Sequence, residues 1–254
     1  MNNADARTML NKVPLVTLFF WVIKIMATTV GETAADFLSV DLKLGLGNTS
    51  LLVGALLVIT LVMQFSARKY VPSVYWLVVV LISIFGTLVT DNLVDIYGVS
   101  LETTTILFSI ALVITFVAWY VSEKTLSIHT IFTTRREGFY WIAILFTFAL
   151  GTAAGDLVAE GMNLGYSVSA LIFGTVITLV AFAHLALKLN AVLAFWIAYV
   201  LTRPVGASCG DLLSQPASNG GLGLGTVGTS AIFLAIILGI VIYWTARQRE
   251  PLTA

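Results

Sequence analysis

The stretch from Trp141 to Asp156, WIAILFTFALGTAAGD, decides how this chain folds, because its spacing recurs. Ten residues after the tryptophan stands Gly151, and fifteen after it stands Asp156. The same W-x9-G-x4-D pattern joins Trp21, Gly31 and Asp36, then Trp76, Gly86 and Asp91, then Trp196, Gly206 and Asp211. The tryptophans lie 55, 65 and 55 residues apart, so four copies cover nearly the whole chain. A sustained period of this length marks a repeat architecture in which each copy is one supersecondary unit. Alternate copies are closer still: GETAAD at 31–36 answers GTAAGD at 151–156, and Gly45 and Gly165 each follow nine residues after their Asp. Eighteen residues beyond each Asp comes a small residue (Gly54, Ser109, Gly174, Thr229), which the spacing assigns to equivalent places. Two successive duplications of a hairpin account for these matches.

Composition says what one unit is. Of 254 residues, 59% are hydrophobic and only 10% charged, with a mean hydropathy of +0.99. A soluble domain carries roughly 25% charged residues, so this chain lacks the polar material to cover a globule. Its 13 basic residues are cancelled by 13 acidic ones, which argues against nucleic acid as a partner. A cytosolic enzyme and a disordered regulator are excluded on the same composition. Cys209 is the single cysteine, leaving no internal disulfide and no thiolate metal cluster.

A membrane-crossing helix needs about 20 apolar residues. Eight such segments are expected, approximately 13–38, 50–67, 73–97, 103–122, 138–162, 167–187, 190–214 and 226–246. Runs such as Leu77 to Ile82 lack the alternation of a barrel strand. The first segment is too long for a signal peptide's apolar region and no A-x-A site follows it, so the chain is expected to stay anchored. The fold class is therefore an all-α polytopic membrane protein: eight transmembrane helices in a single membrane domain, 1–254. Its repeats are approximately 13–67, 73–122, 138–187 and 190–246. Each unit holds two crossings, so all four enter in one direction. They are parallel repeats about an axis along the membrane normal, a pseudo-fourfold arrangement.

Charge placement orients the bundle. The side shared by both termini holds ten of the 13 basic residues, among them Arg7, Lys12, Arg68, Lys69, Arg135 and Arg136. It holds only four acids: Asp5, Glu123, Glu137 and Glu250. Short loops rich in Lys and Arg remain in the cytoplasm, so both termini are expected there and the protein is placed in the inner membrane. The six tryptophans map near one boundary, where an aromatic belt at headgroup depth is favoured over a stacked gate.

The fourfold W-x9-G-x4-D pattern resembles a family of bacterial integral membrane proteins built from four tandem two-helix repeats, each with a characteristic Trp. That family is known mainly as a repeat of unknown function. The resemblance implies this topology and, more loosely, a link to the handling of metals such as manganese.

The four aspartates are the first candidates for function. Asp91 is 19 residues past Pro72, and Asp156 is 19 past Glu137. That is about 28 Å along a helix, near the outer boundary of a hydrocarbon layer roughly 30 Å thick. Carboxylates at membrane depth cost about 2.5–3.5 kcal/mol on insertion scales and mark functional sites by default. Glu32 adjoins Gly31, and Glu160 lies four past Asp156. Thr87, Thr152 and Ala207 stand where Glu32 does in the other copies, so exact symmetry is broken. The glycines and hydroxyls around each Asp permit close helices or a locally broken helix whose carbonyls line a cavity. Such oxygen ligands suit Mg²⁺, Mn²⁺ or Ca²⁺. Asp36, Asp91, Asp156, Asp211, Glu32 and Glu160 are accordingly the candidate metal ligands. Packing, capping of a second half-helix and proton coupling remain as alternatives. Lys24 and Arg203 lie inside odd-numbered crossings, and at least one is expected to pair with a membrane carboxylate.

His184 and His129 have no ligand partner beside them in sequence and are read as interfacial and solvated. Pro204 should kink the seventh crossing, and the glycine run 219–225 is the outer turn of the fourth hairpin rather than a nucleotide loop. The expected function is a secondary transporter or permease for a small hard divalent cation of the Mn²⁺ type, exporting it, with proton exchange as a coupling mode. No resident cofactor is expected; the partners are the lipid bilayer and the cation. The alternative is a non-transporting sensor or assembly subunit with structural aspartates. An intramembrane enzyme is disfavoured, since no nucleophile-elbow or zincin motif occurs.

Overall fold

A computed structural model describes residues 11–247. Asp5, Arg7, Arg249 and Glu250, four of the charges that orient the chain, lie outside the described residues. Eight long helices follow in order: α1 (Leu18–Asp36), α2 (Gly45–Ser66), α3 (Pro72–Asp91), α4 (Leu101–Glu123), α5 (Thr134–Asp156), α6 (Tyr166–Leu187), α7 (Ala191–Ser214) and α8 (Gly225–Arg247). Each contains a segment long and apolar enough to cross a membrane. Thr17 caps α1 by accepting from the Phe20 N–H, so that helix starts five residues later than its apolar run, which begins beside Pro14. The second helix starts five residues earlier than expected, at Gly45.

The odd helices form a closed inner ring, in which α1 packs on α3, α3 on α5, α5 on α7, and α7 on α1. Each even helix lies outside, against the first helix of the following repeat: α2 on α3, α4 on α5, α6 on α7, and α8 back on α1. Neighbouring hairpins are thereby interlocked. The repeated glycines set the inner spacing. A Cβ on Gly31 would strike Ser83, on Gly86 Phe148, on Gly151 Arg203, and on Gly206 Thr28. Each struck residue stands three before the glycine of the next copy, so the four inner helices run parallel in one register. Glycine is needed there because atoms of the neighbouring helix already stand where a Cβ would go.

Burial follows the same symmetry. From each repeated glycine the next four residues read buried, buried, half-buried, buried in every copy. In the first and third copies the ten residues 31–40 and 151–160 have identical burial classes. The outer helices differ: large side chains such as Leu51, Leu171 and Leu185 are 75%, 69% and 82% exposed. An apolar surface of that extent is foreign to soluble monomers.

Of the two arrangements the glycines permit, close helices and not a broken helix are found. All four inner helices run unbroken through Gly31, Gly86, Gly151 and Gly206. Instead, three widen just after the repeated Asp into one π turn, at Phe37–Asp41, Asn92–Ile96 and Leu157–Gly161. The Asp beginning each π turn makes no side-chain capping bond, which removes the capping role. Two residues beyond each π turn the backbone is left-handed, at Lys43, Gly98 and Asn163, and this reverses the chain. Gly45 and Gly165 also have positive φ, the reason a glycine recurs nine residues after Asp.

The fourth copy has no π turn. Its chain folds back on α7 through the Leu222 N–H to Leu212 carbonyl bond, 2.7 Å. This longer turn shifts α8 by five residues. Thr229, buried near the start of α8, therefore occupies the place of Thr49, Thr104 and Ser169, not of Gly54, Ser109 and Gly174. The match at eighteen residues is thus not an equivalence in the fourth copy.

The aromatic-belt reading needs correction for four of the six tryptophans; Trp21 is half-buried, and the side chain of Trp244 lies outside the described residues. Trp76, Trp119, Trp141 and Trp196 are at most 5% exposed, enclosed by protein rather than at a lipid-facing rim. The residue before each repeated Trp explains this. Phe20, Tyr75, Tyr140 and Phe195 converge inside the ring, with Phe20 and Phe195 6.0 Å apart at their centroids and the Tyr75 and Tyr140 hydroxyls 2.5 Å apart.

Candidate functional site

Counting in steps of four from those aromatics traces the buried stripe of each inner helix. One turn on come Lys24, Val79, Ile144 and Tyr199, all fully buried. Next are Thr28, Ser83, Phe148 and Arg203, also fully buried. Then come Glu32, Thr87, Thr152 and Ala207, and last the four aspartates. The interior therefore passes from aromatic at the tryptophan end to acidic at the other.

Arg203 is the centre of this stack. Its Nη2 donates to Glu32 Oε2 at 2.6 Å and to Thr152 Oγ1 at 2.8 Å, and also to Thr87 Oγ1. Its Nη1 donates to the Thr28 carbonyl at 2.6 Å, and Nε to Thr152 Oγ1 at 3.1 Å. Glu32, Thr87 and Thr152 are the same position in three copies. In the fourth that position is Ala207, small enough to leave room for the guanidinium rising from one turn below. A single arginine thus binds every other repeat. The expected internal ion pair is formed by Arg203.

Lys24 is held differently. Its Nζ is buried with no hydrogen-bond partner among the described residues, and lies 4.1 Å from the Phe148 ring centre and 4.3 Å from that of Tyr199. Aromatic faces attract a cation, while the nearest carboxylate layer is engaged by Arg203.

Asp211 is 7% exposed, and Asp36, Asp91 and Asp156 are half-buried. All four lie within electrostatic reach of Glu32, and Asp91, Asp156 and Asp211 also of Asp36. They therefore share one end of the bundle above the Glu32–Arg203 layer. Glu160 is exposed and accepts a hydrogen bond from the Tyr166 hydroxyl at 3.0 Å. Among the described residues, no three His, Cys, Asp or Glu side chains are grouped closely enough to hold one metal ion. Glu32, the most central acid, is committed to Arg203. Asp41, exposed at the end of the first π turn, accepts from the Thr226 hydroxyl at 2.5 Å.

A second buried network lies at the opposite end. Glu137, fully buried in the first turn of α5, accepts from Lys12 Nζ at 2.7 Å and from Gln64 Nε2 at 3.0 Å. Lys12 Nζ also donates to the Phe65 carbonyl at 2.9 Å. The segment before α1 is strapped here by the Lys12 N–H bond to the Ile131 carbonyl, 3.0 Å. Arg136 pairs with Glu123 nearby at 2.8 Å. His184 bonds the Leu189 carbonyl at 2.7 Å beyond the end of α6, and His129 is exposed.

Sequence reading did not find the aromatic layer, the Glu137 network or the central position of Arg203. The first was visible as the aromatic–Trp pair opening every copy. The second had no signal, since Lys12 and Glu137 are 125 residues apart.

No curated protein and no solved structure matches the chain. A family model does: residues 19–70, 74–125, 139–189 and 194–250 each match the repeat described as Repeat of Unknown Function (DUF347). With its tryptophan in every copy and the copies closed into one ring, this chain belongs to the DUF347 repeat family.

Proposed function

We propose that the protein is a permease of the bacterial inner membrane for a small hard divalent cation of the Mn²⁺ class, rather than an enzyme. In this reading the chain crosses the bilayer eight times with both termini cytoplasmic, as the basic loops require. The acidic end then faces outward. The observation that carries the reading is the acidic end of the stack: four aspartates one turn beyond the layer of a buried Glu32–Arg203 pair, all within electrostatic reach of Glu32. Buried ionisable groups inside a membrane bundle are costly and mark ion pathways. Asp36, Asp91, Asp156 and Asp211 attract and partly dehydrate the cation, Glu32 receives it at the axis, and Glu160 adds charge at the rim. Carboxylates that bind a cation also bind protons, which supports export in exchange for protons.

A strain lacking the gene, challenged with graded Mn²⁺ and other divalent ions, tests this. We expect heightened Mn²⁺ sensitivity and cellular Mn²⁺, reversed by the parental gene. Unchanged sensitivity to every divalent ion would reject the reading. A second reading, a non-transporting sensor or assembly subunit, is favoured by the lack of a preformed three-ligand cluster among the described residues. It expects aspartates that can be replaced without consequence.

A further inference from the structure

We propose that Arg203 is a tethered cation occupying the central cation site, so that cargo binds Glu32 only by displacing the guanidinium. This deepens the permease reading and rests on it. The observation is the asymmetry of one layer. Three copies present an oxygen at the same position, Glu32 Oε2, Thr87 Oγ1 and Thr152 Oγ1, and the two N–H groups of Arg203 Nη2 are shared among all three. The fourth copy presents Ala207, which adds no ligand and admits the side chain. These oxygens form the ligand set a hard cation would use at the axis, and a positive group already fills it. The guanidinium is fixed to α7 by its own side chain, so its charge stays in the site until that side chain moves.

The geometry also says which bonds break. Nη1 to the Thr28 carbonyl and Nε to Thr152 Oγ1 run toward α1 and α5 and can hold the side chain in place. Nη2 carries the bonds to Glu32 and Thr87 and a further one to Thr152, which Nε also holds. A small swing of the guanidinium about its first two anchors would free Glu32 for the arriving ion. The arriving divalent charge offsets the loss of the arginine's positive charge beside Glu32, so the buried carboxylate is never left bare. With Arg203 seated, the axis is closed, which prevents downhill leakage between cycles.

Competition is read most directly as equilibrium binding. Purified full-length protein in nanodiscs is titrated with Mn²⁺ and free ion followed by electron paramagnetic resonance. Removing the competitor in Arg203→Gln should tighten Mn²⁺ binding about tenfold, a change of ~1.4 kcal/mol. Adding Glu32→Gln to it should abolish that gain. Thr87→Val weakens the hold on Nη2 without altering either charge and should tighten binding by about threefold, equivalent to ~0.7 kcal/mol. If Arg203→Gln does not fold, Thr87→Val decides. Parental protein that binds Mn²⁺, with neither variant tighter, overturns the tethered-cation proposal alone. Absence of Mn²⁺ binding by the parental protein and all variants overturns the permease reading with it.

Discussion

Arg203 Nη2 lies 2.6 Å from Glu32 Oε2 across the axis of the ring, and their side chains are only 0% and 8% exposed. Taking two such charges from water is expensive, and their attraction offsets that cost only while both remain. Removing one partner should therefore cost more than the pair is worth. We expect Arg203→Ala or Glu32→Ala to destabilise the protein by about 3–5 kcal/mol each. The double substitution should cost clearly less than their sum. Denaturation of the detergent-solubilised variants, analysed as a double-mutant cycle, gives the coupling directly. Additive losses would mean that the two charges do not stabilise one another.

The inner glycines make the next prediction. A Cβ on Gly86 would lie 2.7 Å from Phe148 Cβ, with the Ala149 nitrogen at 3.2 Å and the Phe148 carbonyl carbon at 3.3 Å. Backbone that near cannot rotate away, so α3 and α5 must separate. Gly86→Ala should lose about 1–3 kcal/mol, the usual range for overpacking. Gly174, in the outer helix α6, has nothing within 4 Å of its Cβ position. Gly174→Ala should be neutral or gain up to about 1 kcal/mol of helix propensity. Thermal midpoints of the two variants in one detergent compare them, and equal midpoints would contradict the close-packed ring.

The four-copy pattern made the ring legible because each element of W-x9-G-x4-D has a separate physical role. The residue before Trp fills one end, Gly sets helix spacing, and Asp opens the other end. What could not be read was everything that breaks the symmetry. Arg203 looked like one of two stray cations inside helices, yet only its neighbour Ala207 four residues on makes room for it at the axis. Lys24 looked equivalent and is not, since the rings of Phe148 and Tyr199 surround it instead of a carboxylate. The tryptophans misled because a boundary position is shared by lipid-facing and protein-facing rings, and only side-by-side packing of the inner helices separates them. Thr229 misled because a loop insertion preserved residue size while moving the register.

Lys24 supplies a stability test with an unusual sign. Its side-chain nitrogen is buried, makes no hydrogen bond among the described residues, and is offset by aromatic faces worth about 2 kcal/mol to a desolvated cation. The desolvation penalty for one ion is several kcal/mol. Lys24→Met keeps length and volume while removing the charge, so its thermal midpoint should equal or exceed the parental one. A fall of several degrees would show that the ammonium itself holds the aromatic layer together. Should the variant be stable but fail to protect cells against Mn²⁺, the charge is retained for transport.

The aspartates give the last and most decisive series. Asp→Asn preserves shape and removes charge, and the repeated Asp makes no capping bond at the π turns that follow Asp36, Asp91 and Asp156. Insertion and folding of these variants should therefore be close to parental, checked by size-exclusion profile and thermal midpoint. Mn²⁺ flux into proteoliposomes should fall in all four. Asp36 and Asp156 should be the most sensitive. Asp36 lies one turn beyond Glu32 on the same helix, and Asp156 feels both Glu32 and Glu160. Metal must displace protons from these carboxylates, so parental Mn²⁺ occupancy should weaken as pH falls. The removal of one carboxylate should make that dependence shallower, because fewer protons are exchanged for each ion bound. Parental flux from all four Asn variants would place the cation path elsewhere. A preserved pH slope with reduced flux would instead mean that the aspartates attract the ion without binding it.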